Sequence, residues 1–108
     1  MPLFAVIGFD DVRRSAELRE ANRAQHRAYS KANDEPTRLA GAFYGEDGNQ
    51  CGTLKIFEAD SAEEVWAWYR KEPFYKAGVY KDFYVVEWKL AINRFEPRDW
   101  DPNFPTKK

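Results

Sequence analysis

The chain carries a single histidine, His26, and imidazole is the side chain that takes up and releases a proton near neutral pH. General acid-base chemistry built on histidine has to run through this one residue. It closes the run Arg19-x-x-x-Arg23-x-x-His26. Arg23, one turn earlier, suits either the orientation of an anionic substrate or a solvated arginine stripe with Arg19 and Arg27. Farther along, Pro73 pushes Glu72 out of helical conformation and so holds a carboxylate at a helix end, followed by Phe74 and Tyr75. A carboxylate at a helix C-terminus is disfavoured by up to about 1 kcal/mol, so Glu72 calls for a partner. Lys71, Lys76 and His26 are the candidates. Thr53 offers a hydroxyl to a substrate or is an ordinary strand threonine, and Tyr75 belongs to a dense aromatic group open to several uses. Cys51 has no strong local cue for a lowered thiol pKa and reads as structural.

Other chemistries lack their residues. There is no Gly-rich phosphate loop, Ser nucleophile elbow or HExxH. One His and one Cys cannot close a structural zinc site, so neither a metal nor another cofactor is expected. Lys and Arg total 17 against 18 Asp and Glu, which gives no general attraction to nucleic acid or to an anionic membrane. The apolar stretch 2–9 is too short to span a bilayer and follows no cationic segment, and a lone cysteine suits a reducing compartment. The expected location is cytoplasmic.

These residues need elements to hold them, and 108 residues allow one core. Leu3, Ala5, Ile7 and Phe9 alternate with Phe4, Val6 and Gly8, apolar on both faces, as in a central strand over 3–9. Asp10 and Asp11 are capping candidates for a helix over about 13–32. Its expected sheet-facing stripe is Leu18, Ala21, Gln25, Ala28, Tyr29 and Ala32, with His26 at the edge and the arginines outside. Asn33 to Pro36 break this helix, Asn33 being suited to a left-handed end. Strands over about 38–45 and 52–58 flank the turn Glu46-Asp47-Gly48-Asn49 and form a hairpin, with Gly41 and Gly52 marking bulges or close approaches. Ser61-x-x-Glu64 is a capping box for a second helix, which ends near Lys71, and a loop then leads to a strand over about 83–95.

The order βαββαβ predicts an α+β, ferredoxin-like domain: a four-stranded antiparallel sheet with both helices on one face. The naked opposite face predicts a homodimer. Aromatics make 17% of the chain and crowd between Trp66 and Trp88, a density that suits core packing, a subunit interface or a pocket. Trp66 and Trp68 lie about 200° apart on a helix and cannot both face one sheet, so one is expected buried and the other at a cleft or contact. The Pro-rich residues 96–108, with Trp100 and Phe104 as anchors, read as an irregular tail after a domain over 1–95.

The Arg19/Arg23/His26 run, Gly41, Gly52-Thr53 and Glu72-Pro73-Phe74-x-x-Ala77-Gly78, in this order, resemble the YCII-related family of small proteins. The resemblance implies a ferredoxin-like fold that dimerises into an α+β barrel with a cleft on each protomer. It also implies a catalytic pair at His26 and Glu72, the chain carrying Glu where Asp is usual in that family. Activities in the family and its structural relatives include chloride elimination, lactone isomerisation and oxygenation. The expectation is a cofactor-free lyase or isomerase moving a proton on a small ligand in an aromatic-lined cleft, with Arg23, Thr53 and Tyr75 as substrate contacts. The alternative is a non-catalytic dimeric module that binds a small ligand. The two are separated by whether His26 and Glu72 meet at the rim of the main pocket.

Overall fold

A computed structural model describes residues 1–33, 35–99 and 103. The elements run β1 (Leu3–Asp10), α1 (Ser15–Ala32), β2 (Thr37–Tyr44), β3 (Gln50–Glu58), α2 (Ala62–Tyr69), α3 (Pro73–Ala77) and β4 (Tyr80–Trp88), then a 3-10 turn at Pro97–Asp99. The sheet order is β2-β3-β1-β4, antiparallel throughout, with the apolar β1 at its centre. This is the α+β, ferredoxin-like arrangement expected from the order of elements.

Register divides the sheet into two faces. Phe4 lies opposite Phe57, Val6 opposite Lys55 and Val85, and Gly8 opposite Thr53 and Phe83, which places these on the helix-bearing side. There Phe4, Val6 and Phe57 pack with Ala59, Val65 and Tyr69 into the core. Each fully buried large side chain contributes about 2–3 kcal/mol. The other face carries Leu39, Ile56, Ala5 and Val86 in one row and Gly41, Leu54, Ile7 and Tyr84 in the next. Beyond these, Gly52 lies between Phe9 and Phe43, whose rings stack at 5.5 Å. A Cβ on Gly52 would stand 2.4 Å from the Gly8 carbonyl oxygen, so only glycine permits this approach. Among the described residues no helix covers this face, and Leu39, Val86, Tyr84 and Phe9 are exposed.

Several local expectations change. Asp10 does not cap α1; helix entry is a backbone turn in which Arg14 and Ser15 amides donate to the Asp11 carbonyl, and no side chain caps the helix. The inward side of α1 consists of Ser15, Leu18, Arg19, Asn22, His26, Tyr29 and Ser30, while Ala21, Gln25, Ala28 and Ala32 are exposed. The helix is rolled relative to its apolar stripe because its polar side chains find buried partners. Asn33 ends it with φ −114°, not in the left-handed region, its amide donating to the Tyr29 carbonyl. In the box on α2, Ser61 accepts from the Glu64 amide, but Glu64 reaches the Asp60 amide instead of that of Ser61. The expected loop after α2 contains α3, and β4 begins at Tyr80 and stops at Trp88, opposite Leu3, before which Pro2 has no amide hydrogen to donate. Trp66 and Trp68 are both half-buried: Trp66 meets Tyr75 and Phe83, and Trp68 meets Phe57 and Tyr29. Trp100 and Phe104 lie outside the described residues.

Candidate active site

Pro73 occupies the first position of α3, where its missing amide hydrogen costs nothing, and it bars Glu72 from the helix. Glu72 is therefore the N-cap of α3, with extended backbone (φ −77°, ψ 129°), and not a disfavoured carboxylate at the end of α2. Its Oε2 accepts from the Phe74 amide at 3.0 Å and its Oε1 from the Tyr75 amide at 3.2 Å. At the other end Gly78 takes φ 85°, a left-handed cap open to glycine, so α3 is closed at both termini. The carboxylate is wholly buried.

His26, projecting from α1, brings Nδ1 to 2.5 Å from Glu72 Oε2. Both carboxylate oxygens already accept backbone N–H groups, so Glu72 acts as the acceptor and Nδ1 as the donor. In the neutral ring this leaves the lone pair on Nε2, which has no hydrogen-bond partner among the described residues. The imidazole keeps 22% of its side-chain surface open and stacks flat on Phe74, ring centres 4.0 Å apart and planes within 6°. Ring position and tautomer are both held.

Phe74 continues the assembly. The Arg19 guanidinium lies 5.3 Å from the centre of its ring and 5.7 Å from that of Tyr80. Arg19 also donates through Nε and NH2 to the two oxygens of Asp10, at 3.2 and 2.9 Å. The Asp10 carboxylate is fully buried, a paired geometry that arginine makes and lysine cannot. Tyr80 sits over Gly8, where a Cβ would come within 2.7 Å of its ring, with the Thr53 side chain close to its hydroxyl. Burial pushes the Tyr80 phenol up to about 12 against the opposing pull of Arg19 and Thr53. Burial, with the nearby Glu72 charge, also raises the Tyr29 phenol, which donates to the Trp68 carbonyl at 2.6 Å and ties α1 to α2.

Two clefts open beside this assembly. One, of about 950 Å³, lies between the first half of α1 and the β2–β3 turn, and its lining includes Asp10, Arg19, Arg23 and Cys51. The other, of about 330 Å³, is bounded by Asn22, Gln25, Pro73 and Lys76, neighbours in sequence of His26 and Glu72. His26 and Glu72 line neither, while Gln25 and Pro73, next to them in sequence, line the smaller one. Among the described residues no cluster of His, Cys, Asp or Glu is grouped to hold a metal ion.

The family model for the YCII-related domain matches residues 3–89. The chain belongs to the YCII-related family. Among solved structures, this YCII-related protein is similar to 5-chloro-2-hydroxyhydroquinone dehydrochlorinase (TftG) from Burkholderia phenoliruptrix AC1100, in complex with 2,5-dihydroxybenzoquinone. The two are 28% identical with a TM-score of 0.70, over 82% of this chain and 95% of that one. No curated protein matches.

The residues singled out by sequence fare differently in the YCII-related fold. His26 and Glu72, 46 positions apart, are in direct contact. Arg23 lines the larger cleft and makes a loose pair with Glu20 at 3.4 Å. Thr53 is engaged by Tyr80 and lines neither cleft. Tyr75 is a core ring packed on Tyr69 and Phe83 and lines neither cleft. The sequence reading gave Asp10, Phe74 and Tyr80 no place in the site, and it offered a solvated stripe for Arg19. Only Gly8, a gap in an otherwise bulky central strand, signalled the Tyr80 contact.

Proposed function

We propose that the chain is a small-molecule lyase or isomerase in which His26 Nε2 removes and returns a proton. The observation that carries this reading is the 2.5 Å contact of His26 Nδ1 with a carboxylate fixed by two backbone amides. Anchored through Nδ1, the ring presents Nε2 as base, and the imidazolium formed on proton uptake is stabilised by Glu72. Its return stroke delivers the proton to the leaving group or to a second position of the substrate. Family membership and the likeness to a dehydrochlorinase bound to a dihydroxybenzoquinone support a small oxygenated ring as the substrate class. Loss of HCl from such a ring is proton removal coupled to departure of chloride, and it needs no redox partner. Arg23 in the adjoining cleft is the residue we assign to ligand oxygens. The open apolar sheet face supports a homodimer closed over that face, and the lone Cys51 supports a cytoplasmic setting.

The test is chloride release and ring absorbance with chlorinated hydroxyquinols, for the native chain and for His26→Gln. Turnover that falls at least about 100-fold in the variant, with ligand-induced thermal shift retained, supports proton transfer by His26. A second reading follows from the dyad's absence from both clefts: a module that binds the ligand without turning it over. It predicts a thermal shift with 2,5-dihydroxybenzoquinone that is equal in both proteins and no turnover in either.

A further inference from the structure

A single hydrogen bond fixes the position of one imidazole nitrogen but not the plane in which the ring lies. Glu72 holds Nδ1 at 2.5 Å, yet the last torsion of a histidine side chain is broad and the ring keeps 22% of its side-chain surface open. A tilt of about 30° about that anchor carries Nε2 roughly 1 Å off its line, and misplacement of that size costs up to about 100-fold in rate. A second contact has to set the plane.

Phe74 is placed to set it, and Arg19 is placed to hold Phe74. Arg19 and His26 stand seven residues apart in α1, a rise of about 10.5 Å. The Phe74 ring, brought in by α3, has its centre 4.0 Å from that of the imidazole and 5.3 Å from the guanidinium carbon of Arg19. These separations take up most of the rise, so the phenyl is inserted between the two side chains, with the imidazole on one side and the guanidinium on the other. Phe74 is buried, and its amide donates to the same Glu72 oxygen that meets Nδ1. Arg19 is held in turn: its fork closes on the fully buried Asp10 carboxylate, and the Tyr80 ring lies 5.7 Å from the guanidinium. A guanidinium is attracted to the face of an aromatic ring, which keeps this one against Phe74.

We infer that Arg19 and Phe74 are positioning residues for His26: Arg19, locked on Asp10, holds the phenyl against the imidazole and so sets the direction of Nε2. The kinetic consequence rests on the proton-transfer reading above, and the geometric one does not. Proton NMR of the full chain reads the ring directly, because His26 is the sole histidine. In the native protein the imidazole carbon-bound protons should be shifted upfield by the Phe74 ring current and show nuclear Overhauser contacts to the phenyl protons. Arg19→Lys keeps the charge and loses the fork, and Phe74→Leu keeps an apolar side chain and loses the ring. Both variants should move the imidazole resonances downfield. With a chlorinated hydroxyquinol that the native chain turns over, both should lower kcat about 10- to 100-fold at nearly unchanged KM. A native spectrum without the upfield shift and the phenyl contacts overturns the proposal before any variant is made. Arg19→Lys that lowers the melting temperature but keeps the native ring resonances and kcat also overturns it, since Arg19 then serves only the fold. Displaced resonances at native kcat do the same, because the plane of the ring then has no bearing on Nε2. Displaced resonances in a protein whose native form turns nothing over remove the proton-transfer reading and keep Arg19 as the residue that sets the imidazole plane.

Discussion

Replacing Glu72 by Gln tests the link between the buried carboxylate and the imidazole. The carboxylate accepts three N–H groups, from Phe74, Tyr75 and His26, and is wholly buried. Gln keeps the shape but only one acceptor oxygen, so its NH2 must face at least one of those donors. A buried donor left unpaired costs about 1–3 kcal/mol, and loss of the capping carboxylate adds about 1 kcal/mol. The sum is about 3 kcal/mol, which at roughly 4 °C or more per kcal/mol lowers the melting temperature by at least about 12 °C. His26→Ala, which leaves both amide bonds to Glu72 intact, should cost about half as much or less. Thermal and urea unfolding give the energies. The ¹⁵N shifts of the ring report which nitrogen bears the proton, without ambiguity because His26 is the sole histidine. Native protein should show the proton on Nδ1 in the neutral ring, and Glu72→Gln should mix the tautomers. A drop under about 3 °C together with unchanged ring shifts would refute the claim that this carboxylate holds α3 and orients His26.

Three further outcomes follow from the surrounding packing. Gly8→Ala places a methyl 2.7 Å from the Tyr80 ring and should destabilise by about 1–3 kcal/mol, with the loss reduced in the double variant carrying Tyr80→Ala. The folded Tyr80 phenol is raised to about 12 from the ordinary 10, so the stability it confers is complete below pH 10 and lost as pH rises from 10 to 12. Urea unfolding at pH 9 and pH 12 should show the native chain losing about 2 kcal/mol more than Tyr80→Phe, and equal losses would mean that the phenol is not buried. Asp10→Asn strips a nearly buried Arg19 of its counter-charge and should cost about 3 kcal/mol, whereas Glu58→Gln, at the exposed pair with Arg38, should cost under about 1 kcal/mol in the same denaturation assay.

The order of elements, the hairpin turn, the start of α2 and the break at Pro73 were legible in the sequence because each rests on local physics. Alternation sets a strand's faces, a Ser caps its own helix, and proline restricts the residue before it. The family motifs, spread along the chain, named His26 and Glu72 together. What local pattern could not supply was the roll of α1. Its alanine stripe pointed one way, but Arg19 found a buried carboxylate in Asp10 and Tyr29 a carbonyl at Trp68, and these buried polar contacts outweigh the burial of a few methyl groups. The short α3 was hidden for a related reason. Five residues cannot hold a helix alone, and this one is kept by a capping carboxylate, a left-handed glycine and packing against α1. The sequence thus determined which groups were present and on which elements. Only the tertiary structure decided that Glu72 caps a new helix, that Tyr75 is core and Arg19 interior, and that the imidazole is clamped between a carboxylate and a ring, because Arg19 meets Asp10 across 9 residues and His26 meets Glu72 across 46, pairings that local pattern does not specify.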